Sequence, residues 1–224
     1  MCSPILNVTK EEADLVNSKS FVYQNNSLKT AEFHKKLLCW VHTMSDRQNT
    51  RALAVNETWL KRCDYGIFFT NKKMKKSLIN HYSLWDDCEN NIDALNKTIR
   101  AWRFVFSKLL TKFDWYYKAD DDTFMLTENL KKFLQNFDPM QPHYFGVHYK
   151  QTEENGNPYG SASGFNSGSG YILSYEAVRL LNKALDKNPY FCGDFLYEDV
   201  GLGNCLAKLN IFPAQTTYEN GNHS

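Results

Sequence analysis

YYKADDDTF, residues Tyr116 to Phe124, places three aspartates straight after an aromatic lead-in. Adjacent carboxylates repel, and burying them unpaired is costly. The residues before them, Trp115-Tyr116-Tyr117-Lys118-Ala119, read as a buried strand by their length and β-forming side chains. Thr123 to Phe137 reads as a helix that turns Met125, Leu126, Leu130, Phe133 and Leu134 inward. The acidic triplet therefore stands between a strand and a helix. Water, arginines or a metal ion must offset its charge there.

The rest of the chain repeats this alternation. Leu37 to Thr43, Asp64 to Thr70 and His143 to Val147 read as strands, and Gly170 to Ser174 as a short one. Asn49 to Arg62 is loosely helical. Thr98 to Leu110 carries Ile99, Trp102, Phe106, Leu109 and Leu110 on one helical face, with Arg103 at its edge. Tyr175 to Leu185 is helical with Ser174 as its N-cap. Glu198 to Leu209 is helical with Leu202, Leu206 and Leu209 inward. Strands alternating with helices predict an α/β fold with a mostly parallel central sheet flanked by helices. Ligands of such sheets gather at the carboxyl ends of the strands, where Asp120-Asp121-Asp122 falls. Residues 1–33 read as a polar lead-in and 34–224 as a single domain. Residues 151–170, rich in Gly, Ser and Asn, read as a long loop. Lys72, Lys73, Lys75 and Lys76 read as a solvated charge run.

Composition narrows the function. The chain has 224 residues, 42% of them hydrophobic and 15% aromatic, enough for one sizeable core. The net charge of +1 is not that of a basic nucleic-acid binder, so no nucleic-acid partner is expected. No apolar run approaches the ~18 residues of a spanning helix, and the N-terminus does not read as a signal peptide. Six cysteines form no Cys-x-x-Cys pair, and an even count is compatible with disulfides. Asn-x-Ser/Thr sequons start at Asn7, Asn25, Asn56, Asn96 and Asn222. An Asn-rich chain produces sequons by chance, but with the cysteines they favour a lumenal protein whose targeting segment is missing from this chain.

Two acidic groups carry the chemistry. Carboxylates one residue apart, Asp120 and Asp122, can both face one hard cation such as Mg²⁺ or Mn²⁺. Such ions keep waters and bind substrate phosphates, so the cation would also offset a pyrophosphate. Glu198 and Asp199 open a helix, where acids interact well with the macrodipole. A second reading makes this pair the general base at the mouth of the sheet.

Seven segments then stand in one order: LLCWVHT (37–43), ETWLKRC (57–63), NKTIRAW (96–102), DWYYKADDDTF (114–124), YFG (144–146), SGSGYILS (167–174) and YEDVGLGNCL (197–206). Together they resemble the core 1 β1,3-galactosyltransferases, a family of Fringe-like inverting glycosyltransferases. The resemblance covers roughly residues 35 to 210. It implies a GT-A fold, a UDP-sugar donor substrate and Mn²⁺. It implies transfer of galactose from UDP-galactose to the 3-hydroxyl of N-acetylgalactosamine on a glycoprotein acceptor. By matching position, Asp122 would be the direct metal ligand, Asp120 a second metal ligand lying toward the nucleotide, and Asp121 a further residue of the donor-binding site. His223 would be a further metal ligand, Thr43 and Arg51 would lie near the nucleotide, and Asp199 would be the catalytic base. The Gly/Ser-rich residues 160–170 would let the backbone approach the donor. The family's cysteine pattern implies bridges Cys39–Cys63 and Cys192–Cys205. Cys2 and Cys88 have no counterpart, so a third bridge and a free thiol at Cys88 both stay open.

The family also implies a Golgi-resident type II membrane protein with an N-terminal anchor, and admits a homodimer. No anchor is visible in this chain, and the domain reads as shortened at its C-terminal end. Two other functions remain: a Fringe-like β1,3-N-acetylglucosaminyltransferase and a non-catalytic, chaperone-like paralogue. The retained aspartates argue against the second. A metal-dependent phosphohydrolase would need more His and Asp ligands.

Overall fold

A computed structural model describes residues 35–74, 79–85, 94–149 and 164–214. The expected lead-in 1–33, Cys2, Cys88 and His223 lie outside the described residues. Six strands form one sheet: β1 (Leu37–His42), β2 (Tyr65–Thr70), β3 (His81–Ser83), β4 (Trp115–Asp120), β5 (Tyr144–Tyr149) and β6 (Phe165–Ser174). Their order is β3-β2-β1-β4-β6-β5. The first four are mutually parallel, and β6 runs antiparallel to both β4 and β5. The register pairs His42 with Asp120, so β1 and β4 end together.

Alternation along β4 assigns its two faces. Trp115, Tyr117 and Ala119 join Cys39, Val41 and Phe68 in a core that also takes Ala52 and Val55 of α1 (Arg51–Glu57) and Leu134 of α3 (Thr127–Leu134). The opposite face meets α2 (Ala94–Leu109), whose Trp102 stands edge-on to Trp40 at 5.2 Å between ring centroids. Helix α4 (Tyr175–Lys187) packs beside α2, with Arg103 Nη1 donating to the Asn182 carbonyl at 3.4 Å. Helix α5 (Glu198–Ala207) also lies on this side, so close that a Cβ on Gly201 would stand 2.6 Å from Leu95 Cδ2. Helices on both faces explain why the central strands read as unbroken apolar runs. Trp102 is fully buried, and truncation to Ala would cost about 3–5 kcal/mol.

Ser174 caps α4 as expected, its Oγ accepting from the Ala177 amide at 3.2 Å. Disulfides join Cys39 to Cys63 and Cys192 to Cys205, the two pairs that the resemblance implies. The first ties β1 to the turn before β2, and the second ties the segment after α4 to α5.

Several boundaries differ from expectation. The helix after the aspartates starts at Thr127, not Thr123. Trp59 Nε1 donates to the Thr123 carbonyl at 2.9 Å, and Leu126 adopts a non-helical φ of −86° and ψ of 85°. Leu126 is therefore exposed rather than inward, as is Phe124 at 70%. The Gly/Ser-rich segment is not all loop, because β6 extends back to Phe165 and pairs with β5. Helix α2 starts at Ala94 and buries Leu95, Thr98, Trp102, Val105 and Leu109, leaving Phe106 half-buried. Strand β3 has three residues and no periodicity to betray it. Its neighbours hold it through Phe68 N–H to the Asn80 carbonyl at 2.9 Å and Leu84 N–H to the Thr70 carbonyl at 3.0 Å.

Candidate active site

The acidic triplet caps β4 at the carboxyl edge of the sheet, and its members point to different surroundings. Asp121 is buried at 4% exposure. It accepts from Thr43 Oγ1 at 2.7 Å, from Arg47 Nη1 at 3.2 Å and from Arg51 Nη1 at 3.3 Å. The two arginines offset its charge. Asp120 and Asp122 face outward, their side chains 41% and 61% exposed. Arg51 Nη1 also reaches Asp122 Oδ2 at 3.2 Å, so one guanidinium spans two of the three carboxylates. Thr43, Arg51 and the triplet thus form one group.

Lys118 is 2% exposed, on the α2 and α5 side of the sheet. An ammonium buried there must be paired. Its Nζ contacts Asp120 Oδ1 at 2.9 Å and Glu198 Oε2 at 3.3 Å, and donates to the Gly168 carbonyl. Burial works against the Lys118 charge, but Glu198 and Asp120 outweigh it and hold its pKa above the ordinary lysine value. Burial also raises the pKa of Glu198, against the pull of Lys118. The other oxygen, Glu198 Oε1, accepts from the Tyr171 hydroxyl at 2.8 Å.

Asp199 stands at the start of α5. Its Oδ1 accepts from the Val200 amide at 2.8 Å and its Oδ2 from the Gly168 amide at 3.1 Å. Gly168 lies in β6, so the Gly-rich strand meets the acidic helix start here. A Cβ on Gly168 would sit 3.0 Å from Glu198 Oε2 and 3.4 Å from Asp199 Cβ. At Gly170 it would sit 2.3 Å from the Tyr117 hydroxyl, so a side chain there would force β6 off β4. Glycine is required for this close approach.

Among the described residues, no three or more His, Cys, Asp or Glu side chains are grouped to hold a metal ion. Two partly exposed carboxylates, Asp120 and Asp122, stand at the carboxyl end of β4. Mg²⁺ and Mn²⁺ are held in this way, by one or two carboxylates plus substrate phosphates rather than by a closed protein cage. The donor set fits a hard divalent ion that arrives with a phosphorylated substrate.

Residues 33–220 match a family model described as Fringe-like. The chain belongs to this family. Over 191 residues it is 30% identical to glycoprotein-N-acetylgalactosamine 3-β-galactosyltransferase 1 of Xenopus laevis, covering 84% of this chain and 49% of that protein. It is 28% identical over 141 residues to N-acetyllactosaminide β-1,3-N-acetylglucosaminyltransferase 4 of Mus musculus, covering 58% of this chain and 39% of that protein. The Fringe-like chain thus spans about half the length of the curated relatives it matches. A solved galactosyltransferase, in complex with donor and acceptor sugar analogues, aligns over 80% of this chain and 73% of its own. Its TM-score is 0.47 at 10% identity.

Sequence reasoning reached the aspartates of this Fringe-like chain but missed Arg47, Tyr171 and the linking role of Lys118. The signal for Lys118 lay in the strand itself. A lysine inside WYYKAD cannot be buried without acceptors, and the nearest acid in sequence is Asp120. Arg47 carried no such signal, since its partner lies 74 positions away.

Proposed function

We propose that this chain is the catalytic domain, of GT-A type, of an inverting β1,3-glycosyltransferase. It moves galactose from UDP-galactose to the 3-hydroxyl of N-acetylgalactosamine on a glycoprotein. The observation that supports this most is the joining of the Asp120 end of β4 to the Asp199 start of α5 through Lys118 and Gly168. A transferase needs these two functions, donor phosphate binding and a base, at one mouth.

Asp122 and Asp120 would hold Mn²⁺, with Arg51 and Thr43 on the nucleotide side. When bound, the ion supplies Lewis-acid stabilisation of the departing UDP. Asp199 accepts the proton of the acceptor 3-hydroxyl. The freed oxygen pair attacks C1 of the sugar opposite the UDP leaving group, so the C1–O bond to UDP breaks and configuration inverts. The Asp199 carboxylate is held for this task by two backbone amides, which fix its orientation without consuming a side chain. His223 is kept as a further metal ligand in this proposal.

Two disulfides suit an oxidising lumen. The proposal accordingly includes Golgi residence and a type II membrane anchor. No helix among the described residues is long and apolar enough to cross a membrane.

The deciding experiment measures galactose transfer from UDP-galactose to a GalNAc-threonine peptide, with and without Mn²⁺. Mn²⁺-dependent product is expected. Product only with UDP-N-acetylglucosamine would transfer the assignment to the β1,3-N-acetylglucosaminyltransferases, the activity in the name of the mouse relative. No product with either donor would sink the enzyme reading.

A further inference from the structure

We propose that Lys118 is a positioning residue that sets where Asp199 stands relative to Asp120, acting through the backbone of Gly168. The inference rests on the transferase reading above. An ammonium has three donors, and all three here have acceptors: Asp120 Oδ1, Glu198 Oε2 and the Gly168 carbonyl. Gly168 is engaged through both of its backbone polar groups. Its carbonyl accepts from Lys118, and its N–H donates to Asp199 Oδ2. A continuous path therefore runs from the Asp120 carboxylate to the Asp199 carboxylate with Lys118 at its centre.

The residue sits where it can impose geometry. Lys118 is 2% exposed, and its Nζ lies 5.6 Å from the centroid of the Tyr171 ring. Tyr171 in turn holds the other oxygen of Glu198, and Trp102 Nε1 reaches the Tyr171 hydroxyl at 3.4 Å. The ammonium thus stands beside a buried aromatic ring, and its three acceptors hold it there. Stability alone does not call for it. A buried ion pair replaced by apolar groups of similar size is often neutral or stabilising. What a methionine at 118 would lack is the grip on the Gly168 carbonyl and the Asp120 oxygen.

The test compares Glu198→Gln with the double variant Lys118→Met/Glu198→Gln. In the single variant Lys118 keeps its bonds to Asp120 and Gly168. In the double variant both buried charges are gone; Asp120 loses its lysine but is 41% exposed and solvated, so no buried unpaired carboxylate remains to unfold the domain. Transfer from UDP-galactose is measured as kcat per UDP-binding site, with sites counted by calorimetry in Mn²⁺. The double variant is expected to show kcat about 10- to 100-fold below the single one, since misplacing a reacting group by ~1 Å costs on this order. UDP binding is expected to persist in both variants, since Asp120 and Asp122 are both kept, and kcat is read at saturating UDP-galactose so that a loss of affinity from Asp120 losing Lys118 does not enter it. Equal kcat per site in the two variants, or activity lost only in step with the number of UDP-binding sites, overturns the positioning role while the transferase reading stands. A wild-type chain without transfer overturns both.

Discussion

The Thr43 hydroxyl donates to the Asp121 carboxylate at 2.7 Å, joining the ends of β1 and β4 from positions 78 residues apart. That bond, with Arg47 and Arg51, turns the middle aspartate inward while its neighbours face outward. Asp121 is thus the structural member of the triplet. Asp121→Ala removes a buried carboxylate, strands the buried Thr43 hydroxyl and takes one acceptor from each of two half-exposed arginines. Hydrogen bonds to a charged group contribute roughly 1.5–3 kcal/mol, but both arginines are about half exposed, so the net loss is about 2 kcal/mol. For a domain of this size the melting temperature should fall by roughly 4–8 °C. Scanning calorimetry would show it, and an unchanged melt would mean that the Thr43 bond contributes nothing.

Asp122 predicts the opposite pattern. Its side chain is 61% exposed and pairs with Arg51 at 3.2 Å. Asp122→Asn should leave the melting temperature within about 2 °C, as surface substitutions usually do. Mn²⁺-dependent UDP binding should be lost, because one of the two carboxylates proposed to hold the ion is gone. Calorimetric titration of UDP with and without Mn²⁺ separates the two effects. Undiminished binding would remove Asp122 from the metal site.

Asp199 should divide binding from chemistry. Its carboxylate accepts from the backbone amides of Gly168 and Val200. Asp199→Asn keeps one acceptor oxygen for those amides and should spare UDP binding. Transfer should drop by roughly 10²- to 10⁴-fold, the usual contribution of general base catalysis. Single-turnover transfer on donor-saturated protein measures the drop directly, and full activity would assign the base elsewhere.

The two ends of the site were unequally legible in sequence. Strand β4 announced itself because burial on both faces makes its residues aromatic or apolar apart from Lys118, and the aspartates marked its end. Ser174 announced α4 because a cap is a local device, satisfied three residues away. The Gly/Ser-rich run misled for the same local reason. Its composition argues for a loop, but Ser167 to Gly170 are small so that β6 can lie against Tyr117, Glu198 and Asp199. Small residues serving a crowded sheet edge and small residues serving a flexible loop look alike in sequence. The helix limit at Thr127 was hidden likewise, since the group that holds Thr123 out of the helix is Trp59, 64 positions earlier.

His42 supplies a pH prediction. It ends β1 opposite Asp120 in the register and stands edge-on to Trp85 at 4.9 Å. Burial, and next the Lys118 charge, push its pKa down from 6.5 to about 4. The folded state therefore resists a proton that the unfolded chain accepts. The stabilisation is complete above the unfolded value near 6.5 and is lost as pH falls toward 4, by roughly 3 kcal/mol at most. Glu198, with its pKa raised, works the other way on acidification, so the wild-type curve alone does not isolate His42. The comparison with His42→Gln does, because a glutamine fills similar space without titrating in this range. Urea midpoints measured between pH 4.5 and pH 7.5 should fall less steeply with acid in the variant than in the wild type. Parallel curves would show that His42 takes up its proton in the folded protein as readily as in the unfolded chain, and that Lys118 and burial do not control it.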